Sequence, residues 1–270
     1  MTVASASLEY LQKEGMARFI RRVFQELAHR AKRAKSFSRR YIAGRWVELR
    51  GDEWELDGMM FSLNSPGIAT HYKNRFVSGG HEDKERRLVV KHVRRDLPVI
   101  EGGGCVGVVS CVTNRLLQDP KRHVVVEANP KLWGVLKKNR DRNGCTFDIV
   151  EAAFDQNGPT VTFHIHKLFV GGSVQRETDE KVTVPAVTLG GLLQKTGWNA
   201  VTFVLDIEGG EIELIEKEID VLRDHVKVFI VEMHPAISGE QAIAGAIAAL
   251  ERAGFTFRDR ETDVYVFTKD

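Results

Sequence analysis

The sequence predicts an α/β fold, in which a mostly parallel β-sheet is flanked by crossover helices and ends in an antiparallel hairpin strand. From about residue 97 onward, short apolar runs alternate with amphipathic stretches of helical length, a pattern typical of parallel strands joined by helices. The apolar runs are rich in Val, Ile and Phe, as expected of strands buried on both faces. The chain then closes with two strand-like runs around a polar turn, FTFRDRETDVYVFTK. Such a terminal pair is not expected in a simple dinucleotide-binding sheet.

The composition excludes several classes of protein. With 43% hydrophobic and 28% charged residues over 270 positions, the chain has neither a disordered nor a membrane-embedded composition, and its longest apolar runs are strand-sized. The amino-terminal sequence does not have the pattern of a secretory signal. The three cysteines lack metal-ligand spacing, which predicts free thiols in a reducing compartment. We therefore expect a cytoplasmic protein with no membrane span.

Five apolar runs are the predicted core strands. They are PVIE (98–101), HVVVE (123–127), FDIV (147–150), AVTFVLD (200–206) and VKVFIVE (226–232). The helices predicted between them are VGVVSCVTNRLLQ, PKLWGVLKKNRDRNG, TLGGLLQKTG and GEIELIEKEIDVLRDH. The second of these begins at Pro130 and stops at Asn143-Gly144, residue types that favour the start and the end of a helix.

Other segments precede or interrupt this alternation. Residues 155–187 contain a turn, the strand TVTFHIH, a Gly-rich tip and the strand KVTVPAV, which predicts a hairpin inserted before the fourth core strand. Residues 51–63 predict a small hairpin that turns at Asp57-Gly58, and 79–95 a helix leading into the first core strand. The predicted organisation is a basic helical extension at 1–50, a hairpin with a lead-in helix at 51–96, and the main domain at 97–270.

Charge is distributed unevenly along the chain, although the net charge is only +2. Residues 1–50 hold 12 Lys and Arg against 4 Asp and Glu, whereas the remainder holds 27 against 33. Within the basic part, residues 16–28 carry apolar side chains at helical spacing. Two interpretations stay open: a surface helix whose polar face is solvated, or a contact for an acidic partner or polyanion.

A glycine cluster follows the first predicted strand, in the stretch EGGGCVG at 101–107. Because glycine costs backbone entropy on folding, such a cluster indicates a turn that needs positive φ or a ligand that approaches the backbone closely. The helix that follows offers backbone N–H groups. In open α/β sheets, ligands bind at the carboxyl ends of strands where the strand order reverses. We therefore predict a ligand crevice bordered by Glu101, Gly103, Cys105 and Gly107.

The second strand end extends this site. Glu127 closes the strand, where a carboxylate can accept hydrogen bonds from both hydroxyls of a ribose. Ala128 and Asn129 then lead into the next helix and are predicted to border the same ligand.

The third strand end supplies the remaining contacts. Backbone groups of Ala152 and Ala153 could meet the edge of an adenine, and Glu151 could accept its amino group. About 25 residues separate successive strand-end carboxylates, and the three strand ends follow one another in order. This arrangement predicts a nucleoside-containing ligand.

Five segments spread over about residues 97–235 carry a resemblance to a known family. They are VIEGGGCVGVVS, VVVEANPKLWGVLKKN, VEAAFDQNGPTVTFH, VTFVLDIEGGEIELI and IVEMHP, in that order. Together they resemble the FkbM family of S-adenosylmethionine-dependent methyltransferases, and the most specific of them is DIEGGE at 206–211, similar to the family's D-x-E-G-x-E. The resemblance implies a class I methyltransferase (Rossmann-like) sheet, S-adenosyl-L-methionine as cofactor, and O-methylation of a hydroxyl on a sugar or natural-product small molecule.

The sequence departs from the family pattern at several positions. Glu101 stands where Asp is usual, and Gly104-Cys105 stands where the family carries Ala-Asn. Leu205 replaces a Lys, and Gly190-Gly191 replaces a pair of Asp residues. Glu101 can act as Asp does, whereas Cys105 cannot offer an amide to the methionine end of the cofactor.

Titratable residues follow the fourth and fifth strands. The resemblance implies that the methyl group is transferred over the end of the fourth strand, so Asp206 would border both cofactor and acceptor. After positioning, the remaining chemical task is to deprotonate a hydroxyl. His234 is the first candidate base because its ordinary pKa lies near neutrality, with Asp206 and Glu208 as alternatives. These residues and Glu232 could also hold a divalent ion, but we do not expect a metal to be required. His234 could instead be a turn residue preceding Pro235.

Three other functions remain as alternatives. A nicotinamide-dependent oxidoreductase would use a similar turn, but E-x-G-x-x-x-G differs from G-x-G-x-x-G. A nucleic-acid methyltransferase could use the basic amino-terminal segment, yet LDIEGG is not a loop for a planar amine and its carboxylates would repel phosphates. The third alternative is a non-catalytic nucleoside-binding domain. We therefore expect a small-molecule partner and no nucleic acid, and the oligomeric state is not predicted.

Overall fold

The strands and helices follow from a computed structural model, which describes residues 25, 32, 36–165, 172–174 and 178–270. The apolar stripe predicted at 16–28 lies outside these residues. The strands are β1 (Glu53–Leu56), β2 (Met59–Ser62), β3 (Val99–Gly102), β4 (His123–Val126), β5 (Asp148–Val150), β6 (Ala153–Phe154), β7 (Thr160–His164), β8 (Lys181–Val187), β9 (Val201–Leu205), β10 (Val226–Glu232), β11 (Thr256–Glu261) and β12 (Val264–Thr268).

The helices alternate with these strands. They are α1 (described over 36–49), α2 (Asn74–Val77), α3 (Asp83–His92), α4 (Val108–Leu116), α5 (Pro130–Arg142), α6 (Leu189–Thr196), α7 (Glu211–Lys217), α8 (Ile219–His225), α9 (Pro235–Ser238) and α10 (Glu240–Arg252). A short 3₁₀ helix covers Thr70–Tyr72. Among the described residues, no helix is long and apolar enough to cross a membrane.

Seven strands form the main sheet, in the order β11-β12-β10-β9-β3-β4-β5. The five strands from β10 to β5 are parallel to their neighbours, and β12 runs antiparallel to both β10 and β11. This arrangement confirms the predicted α/β fold, a mostly parallel Rossmann-like sheet that ends in an antiparallel hairpin. Each of the five predicted core strands is present, with ends that differ by at most one residue.

The strand order reverses between β3 and β9. From β3 the chain proceeds to β4 and β5 on one side, and it later returns to β9 and β10 on the other side. In the register of the sheet, Gly102 lies opposite both Val126 of β4 and Leu205 of β9. The residues that follow these three strand ends, Gly103, Glu127 and Asp206, therefore emerge side by side at the reversal point, where open α/β sheets bind ligands.

Apolar side chains cover both faces of the sheet. On one face, fully buried residues such as Phe61 and Leu136 belong to one cluster, which joins the β1–β2 hairpin to α3, α4 and α5. On the other face, Phe203 and Phe229 pack with α6, α8 and α10. The buried side chain of Asn139 fixes the hairpin, because its Oδ1 accepts a hydrogen bond from the backbone N–H of Ser62 at 2.7 Å. Residues 51–96 thus share a core with the sheet.

The predicted helix over 210–225 is wrong in one respect, because it consists of two helices, α7 and α8, that meet at Glu218. Glu218 leaves helical geometry with φ −112° and ψ 24°. Its carboxylate accepts hydrogen bonds from the backbone N–H groups of Leu189 (2.9 Å) and Gly190 (2.8 Å) at the start of α6. This tertiary contact is invisible to the hydrophobic periodicity, which continues through the break.

The predicted hairpin before β9 is present as β7 and β8, which pair antiparallel. It is part of a separate three-stranded sheet in the order β6-β8-β7, because the two-residue strand β6 pairs parallel with β8. Strand β6 was not predicted from the sequence. The hairpin carries Phe163 and Val174 to the carboxyl ends of β3 and β4, where they contribute to the cavity described next.

Candidate functional site

A cavity of about 630 Å³ lies at the reversal point of the sheet. The ends of the four strands β3, β4, β5 and β9, the lead-in to α3 and the β7–β8 hairpin supply its walls. It is lined by Glu82, Gly103, Cys105, Val126, Glu127, Ala128, Asn129, Leu132, Ala152, Ala153, Phe154, Phe163, Gly172, Val174, Asp206, Ile207 and Glu208.

The glycine turn after β3 serves two different purposes. Gly103 has a φ of 90°, and a Cβ at this position would lie 1.8 Å from the carbonyl oxygen of Asp206. Only glycine therefore lets the ends of β3 and β9 approach this closely beside the cavity. Gly107, with φ 86°, precedes α4, and a Cβ there would lie 2.8 Å from Leu136 Cδ1. Gly107 thus supplies the left-handed backbone at the start of α4, and it does not line the cavity, contrary to its predicted role in ligand approach.

Glu127 lies on the cavity wall as predicted. Its carboxylate accepts hydrogen bonds from the backbone N–H of Cys105 at 2.7 Å and from that of Asn129 at 2.6 Å. Burial raises the pKa of Glu127 to about 7, although these backbone donors act in the opposite direction. The carboxylate is therefore held in place by the backbone on both sides, ready to accept hydrogen bonds from a ligand.

Asn129 gives independent support for a polar ligand. Its Oδ1 caps α5 by accepting a hydrogen bond from the N–H of Lys131 at 3.1 Å. Its Nδ2 is buried at the cavity and has no hydrogen-bond partner among the described residues. Buried amide donors are rarely left unpaired in folded proteins, so this group fits a ligand that offers an acceptor.

Cys105 lines the cavity, as predicted, and is half-buried. Its φ of 48° places a non-glycine residue in the left-handed region. Burial raises the pKa of its thiol well above the usual range, and the nearby charges of Glu82 and Glu127 act in the same direction. The thiol is therefore protonated at neutral pH and is a poor nucleophile. All three cysteines are free, as the sequence predicts.

The third strand end contributes only part of what was predicted. Ala128, Ala152 and Ala153 line the cavity. Glu151 does not, because its carboxylate lies at the surface in an ion pair with Lys137 of α5. The predicted contact between Glu151 and an adenine amino group is thus not supported, since the side chain is directed to a cation outside the cavity.

Glu101 is also placed differently from the prediction. It is only 1% exposed, and its carboxylate accepts a hydrogen bond from the hydroxyl of Ser110 and lies 3.3 Å from His123 Nε2. It is absent from the main cavity and instead borders a smaller one of about 340 Å³ behind Gly103. The carboxylate of Glu101 therefore holds Ser110 and His123 inside the turn. The predicted direct contact between Glu101 and the ligand is not supported.

The predicted catalytic residues meet beyond the ends of β9 and β10. His234 Nε2 lies 3.5 Å from Asp206 Oδ1 and 3.5 Å from Glu208 Oε2. His234 Nδ1 lies 3.1 Å from Glu211 Oε1. Because a carboxylate only accepts, Nδ1 carries the proton in this contact and Nε2 is directed at the two other carboxylates.

Glu211 holds this cluster together. It is fully buried, and its Oε1 accepts hydrogen bonds from the backbone N–H groups of Ile207 and Gly209, both at 3.1 Å. One carboxylate thus orders the loop after β9 and orients the imidazole of His234. The sequence places Glu211 at the end of the D-x-E-G-x-E pattern, among the titratable residues expected around the acceptor, but not among the candidate bases.

Several charges affect the protonation of this cluster. Burial alone would lower the pKa of His234, but the hydrogen bond to Glu211 and the charges of Asp206 and Glu208 outweigh it and raise that pKa to about 9. The ordinary pKa on which the prediction relied therefore does not apply. Burial raises the pKa of Asp206 well above its usual range, while the charge of His234 acts in the opposite direction.

The residues considered for a metal divide into two groups that share Asp206. Asp206, Glu208 and His234 have ligand atoms within 4.8 Å of one another, and so do Glu85, Asp206 and Glu232. Glu232 is therefore not part of the group that contains His234, which corrects the four-residue set considered from the sequence. Burial raises the pKa of Glu232 to about 11, with contributions from Asp206 and Glu85.

Two kinds of cavity residue were not predicted from the sequence. Phe163 and Val174 reach the cavity because the β7–β8 hairpin folds over the strand ends, and strand alternation predicts that such residues are buried without saying against what. Glu82 lines both cavities from the lead-in to α3, with a φ of 48°. In the sequence it was one charge among many.

A family model described as the Methyltransferase FkbM domain matches residues 101–257, more than half of the chain. No curated protein matches the sequence at a significant level.

Solved structures of low sequence identity are also similar. Precorrin-6y C5,15-methyltransferase from Geobacter metallireducens is 15% identical, with 68% of this chain and 87% of that chain covered and a TM-score of 0.42. Fibrillarin from Aeropyrum pernix with bound S-adenosyl-L-methionine is 8% identical, with coverages of 64% and 66% and a TM-score of 0.39. TYW2 from M. jannaschii in complex with AdoMet is 12% identical, with coverages of 81% and 86% and a TM-score of 0.40.

Proposed function

The chain belongs to the FkbM family of S-adenosylmethionine-dependent methyltransferases, and we propose that it methylates a hydroxyl group on a small molecule such as a sugar or a natural product. The observation that supports this acceptor is the arrangement of His234, Asp206 and Glu208 next to the cavity. A hydroxyl must lose its proton as the new carbon–oxygen bond forms, and this cluster offers a group to receive it.

One side of the cavity carries the groups that we propose bind the cofactor. When bound, S-adenosylmethionine supplies a methyl group on a sulfonium, which is an excellent leaving group. We propose that Glu127 accepts hydrogen bonds from the ribose hydroxyls and that the Nδ2 of Asn129 donates to the cofactor. Ala152, Ala153 and Phe163 line the cavity with apolar surface, which suits the adenine ring.

His234 is the proposed base. Its Nδ1 proton is held by Glu211, so Nε2 is the nitrogen left to take the proton of the acceptor. Asp206 and Glu208 then stabilise the imidazolium that forms, at 3.5 Å from Nε2. Because the leaving group needs no help, the protein's other task is to align the hydroxyl with the methyl group.

A divalent ion is the alternative way to acidify the hydroxyl, since Asp206, Glu208 and His234 could also serve as its ligands. Dialysis against a chelator separates the two mechanisms. Full activity after chelation supports His234 acting without a metal. Loss of activity that Mg²⁺ or Mn²⁺ restores would transfer the acidifying role to the ion.

The acceptor class is tested with methyl-labelled S-adenosylmethionine. We expect label to appear in hydroxylated small molecules from a panel of sugars and natural products, in a linkage that survives mild alkali as an ether does. Equal amounts of a mixed RNA and of duplex DNA serve as matched controls. Label in nucleic acid, or in an alkali-labile ester, would contradict the proposal.

A further inference from the structure

Helix α1 is firmly attached to the body through one of its faces. Val47 is fully buried, and a Cβ at Gly44 would lie 1.7 Å from the carbonyl oxygen of Thr70, so the helix touches the backbone of the neighbouring 3₁₀ helix. Glu48 accepts hydrogen bonds from Thr70 Oγ1 at 2.6 Å and from Lys73 Nζ at 3.1 Å. The orientation of α1 is therefore fixed, and its opposite face is presented in a defined direction.

That opposite face carries large apolar side chains in solvent. Ile42 is 68% exposed, Trp46 49% and Leu49 81%. Their spacing of four and three residues places them in one stripe along the helix, on the side away from Gly44 and Val47. Exposed apolar side chains grouped in this way mark interaction surfaces more often than isolated ones do.

Arginines flank the stripe on both sides. On the helix, Arg45 lies along one edge, while Arg39 and Arg50 lie along the other. The side chain of Arg45 is 56% exposed, and the guanidinium of Arg50 lies 5.5 Å from the ring centre of Trp46. Glu48, the acidic side chain in this segment, accepts hydrogen bonds from Thr70 and Lys73 through Oε1, and its Oε2 pairs with Arg45 at 2.5 Å. The outer face of α1 is thus apolar in the middle, with Arg39 and Arg50 along one edge and the Arg45–Glu48 ion pair along the other.

We propose that this face of α1 binds the surface of an anionic phospholipid bilayer. Helices that lie in a membrane interface combine Trp and aliphatic residues in the centre with Lys or Arg at the edges, and the charges attract acidic headgroups. A second copy of the chain would bring the same arginines against one another, which disfavours self-association. Nucleic acid would satisfy the arginines but would leave Ile42 and Leu49 against charged phosphates.

Co-sedimentation of the full chain with vesicles tests the proposal. We expect binding to vesicles of equal parts phosphatidylglycerol and phosphatidylcholine, and little to phosphatidylcholine alone. The Ile42→Ser/Leu49→Ser variant should lower the partition coefficient by about tenfold or more. The Arg39→Gln/Arg45→Gln variant should lower it by about fivefold per charge, and added salt should weaken wild-type binding. Val90→Ser is the matched control, since Val90 is 54% exposed on α3, outside the stripe.

Each other outcome overturns the proposal. It is overturned if the wild type does not prefer anionic vesicles, or if the Ile42→Ser/Leu49→Ser variant binds them like the wild type. A concentration-dependent dimer that this variant abolishes, without vesicle binding, would assign the face to a second copy. Binding to duplex oligonucleotides that depends on Arg39 and Arg45, without vesicle binding, would assign it to nucleic acid. Thermal unfolding of both variants, which change exposed positions, verifies that the fold is intact.

Discussion

The two sides of the cavity differ in the chemical groups that they present. At the ends of β3, β4 and β5 the walls consist of backbone, small side chains and the buried carboxylate of Glu127, which backbone N–H groups hold on both sides. At the ends of β9 and β10 they consist of titratable side chains around His234 that lie within hydrogen-bond or ion-pair distance of one another. The first side suits the uncharged nucleoside part of a cofactor, and the second side suits the transfer of a proton.

This difference has a consequence for mutations. A substitution on the β3–β5 side should weaken cofactor affinity and leave the protonation of the acceptor site unchanged. Substitution of His234 on the β9–β10 side should lower turnover and leave cofactor affinity nearly unchanged. Measurements that fail to separate in this way would show that the two sides are not distinct in function.

The largest effect is expected for His234→Ala. Removing the proposed base should lower turnover by about 10²–10⁴, while the calorimetric affinity for S-adenosylmethionine changes little. Pro235→Ala at the next position is a control for disturbance of the loop. Loss of cofactor binding in His234→Ala would show instead that the histidine is structural.

The pH dependence of the rate tests the assignment of His234 as the base. A base must be deprotonated to act, and the pKa of His234 is raised to about 9, so activity should rise with pH and level off above about 9. Between pH 7 and pH 9 the increase should be about 50-fold. In Glu211→Gln the hydrogen-bonded charge is lost and burial dominates, so the rising limb should move to lower pH. A wild-type limb near 6.5, or one that Glu211→Gln leaves in place, contradicts the assignment.

On the other side of the cavity, Glu127→Ala should weaken cofactor affinity at least tenfold. The variant removes charge-assisted hydrogen bonds of about 1.5–3 kcal/mol each before desolvation. Calorimetry with S-adenosylmethionine and its demethylated product measures the effect, with NAD as a ligand that should not bind. If affinity is unchanged, the end of β4 does not hold the ribose.

A smaller effect is expected at Cys105. Because the pKa of its thiol is raised, alkylation at neutral pH should be slower than that of an exposed cysteine by at least about tenfold. Bound cofactor should slow it further, since Cys105 lines the cavity. Mass spectrometry of wild type and Cys105→Ser locates the modification. Equal rates with and without cofactor would place the glycine turn outside the binding site.

The smallest effect is expected for Glu151→Ala. Its carboxylate pairs with Lys137 at the surface, where ion pairs contribute little. Cofactor affinity should therefore change by less than about twofold. A loss as large as that of Glu127→Ala would restore the contact with adenine that the sequence suggested.

The sequence by itself determined the sheet and the position of the crevice at its strand ends. Val- and Ile-rich runs and the spacing of helices predict β3, β4, β5, β9 and β10, because burial on both faces leaves a continuous apolar signal. Strand ends at Glu127 and Asp206 mark the crevice, since parallel strands end at the same edge. Gly103 is recognisable as a special position because it lies in a glycine cluster directly after a strand, and the structure adds that a Cβ there would clash with the carbonyl oxygen of Asp206.

Only the tertiary structure decided which side chains face the cavity and how they titrate. Glu101 and Glu151 occupy the same kind of strand-end position as Glu127. The carboxylate of Glu101, however, contacts Ser110 and His123, and that of Glu151 pairs with Lys137. The pKa of His234 depends on Glu211, Asp206 and Glu208, which only the meeting of β9 and β10 brings within reach. The direction in which these side chains point and their protonation state depend on residues that are distant in the chain. Local sequence patterns carry no information about such residues.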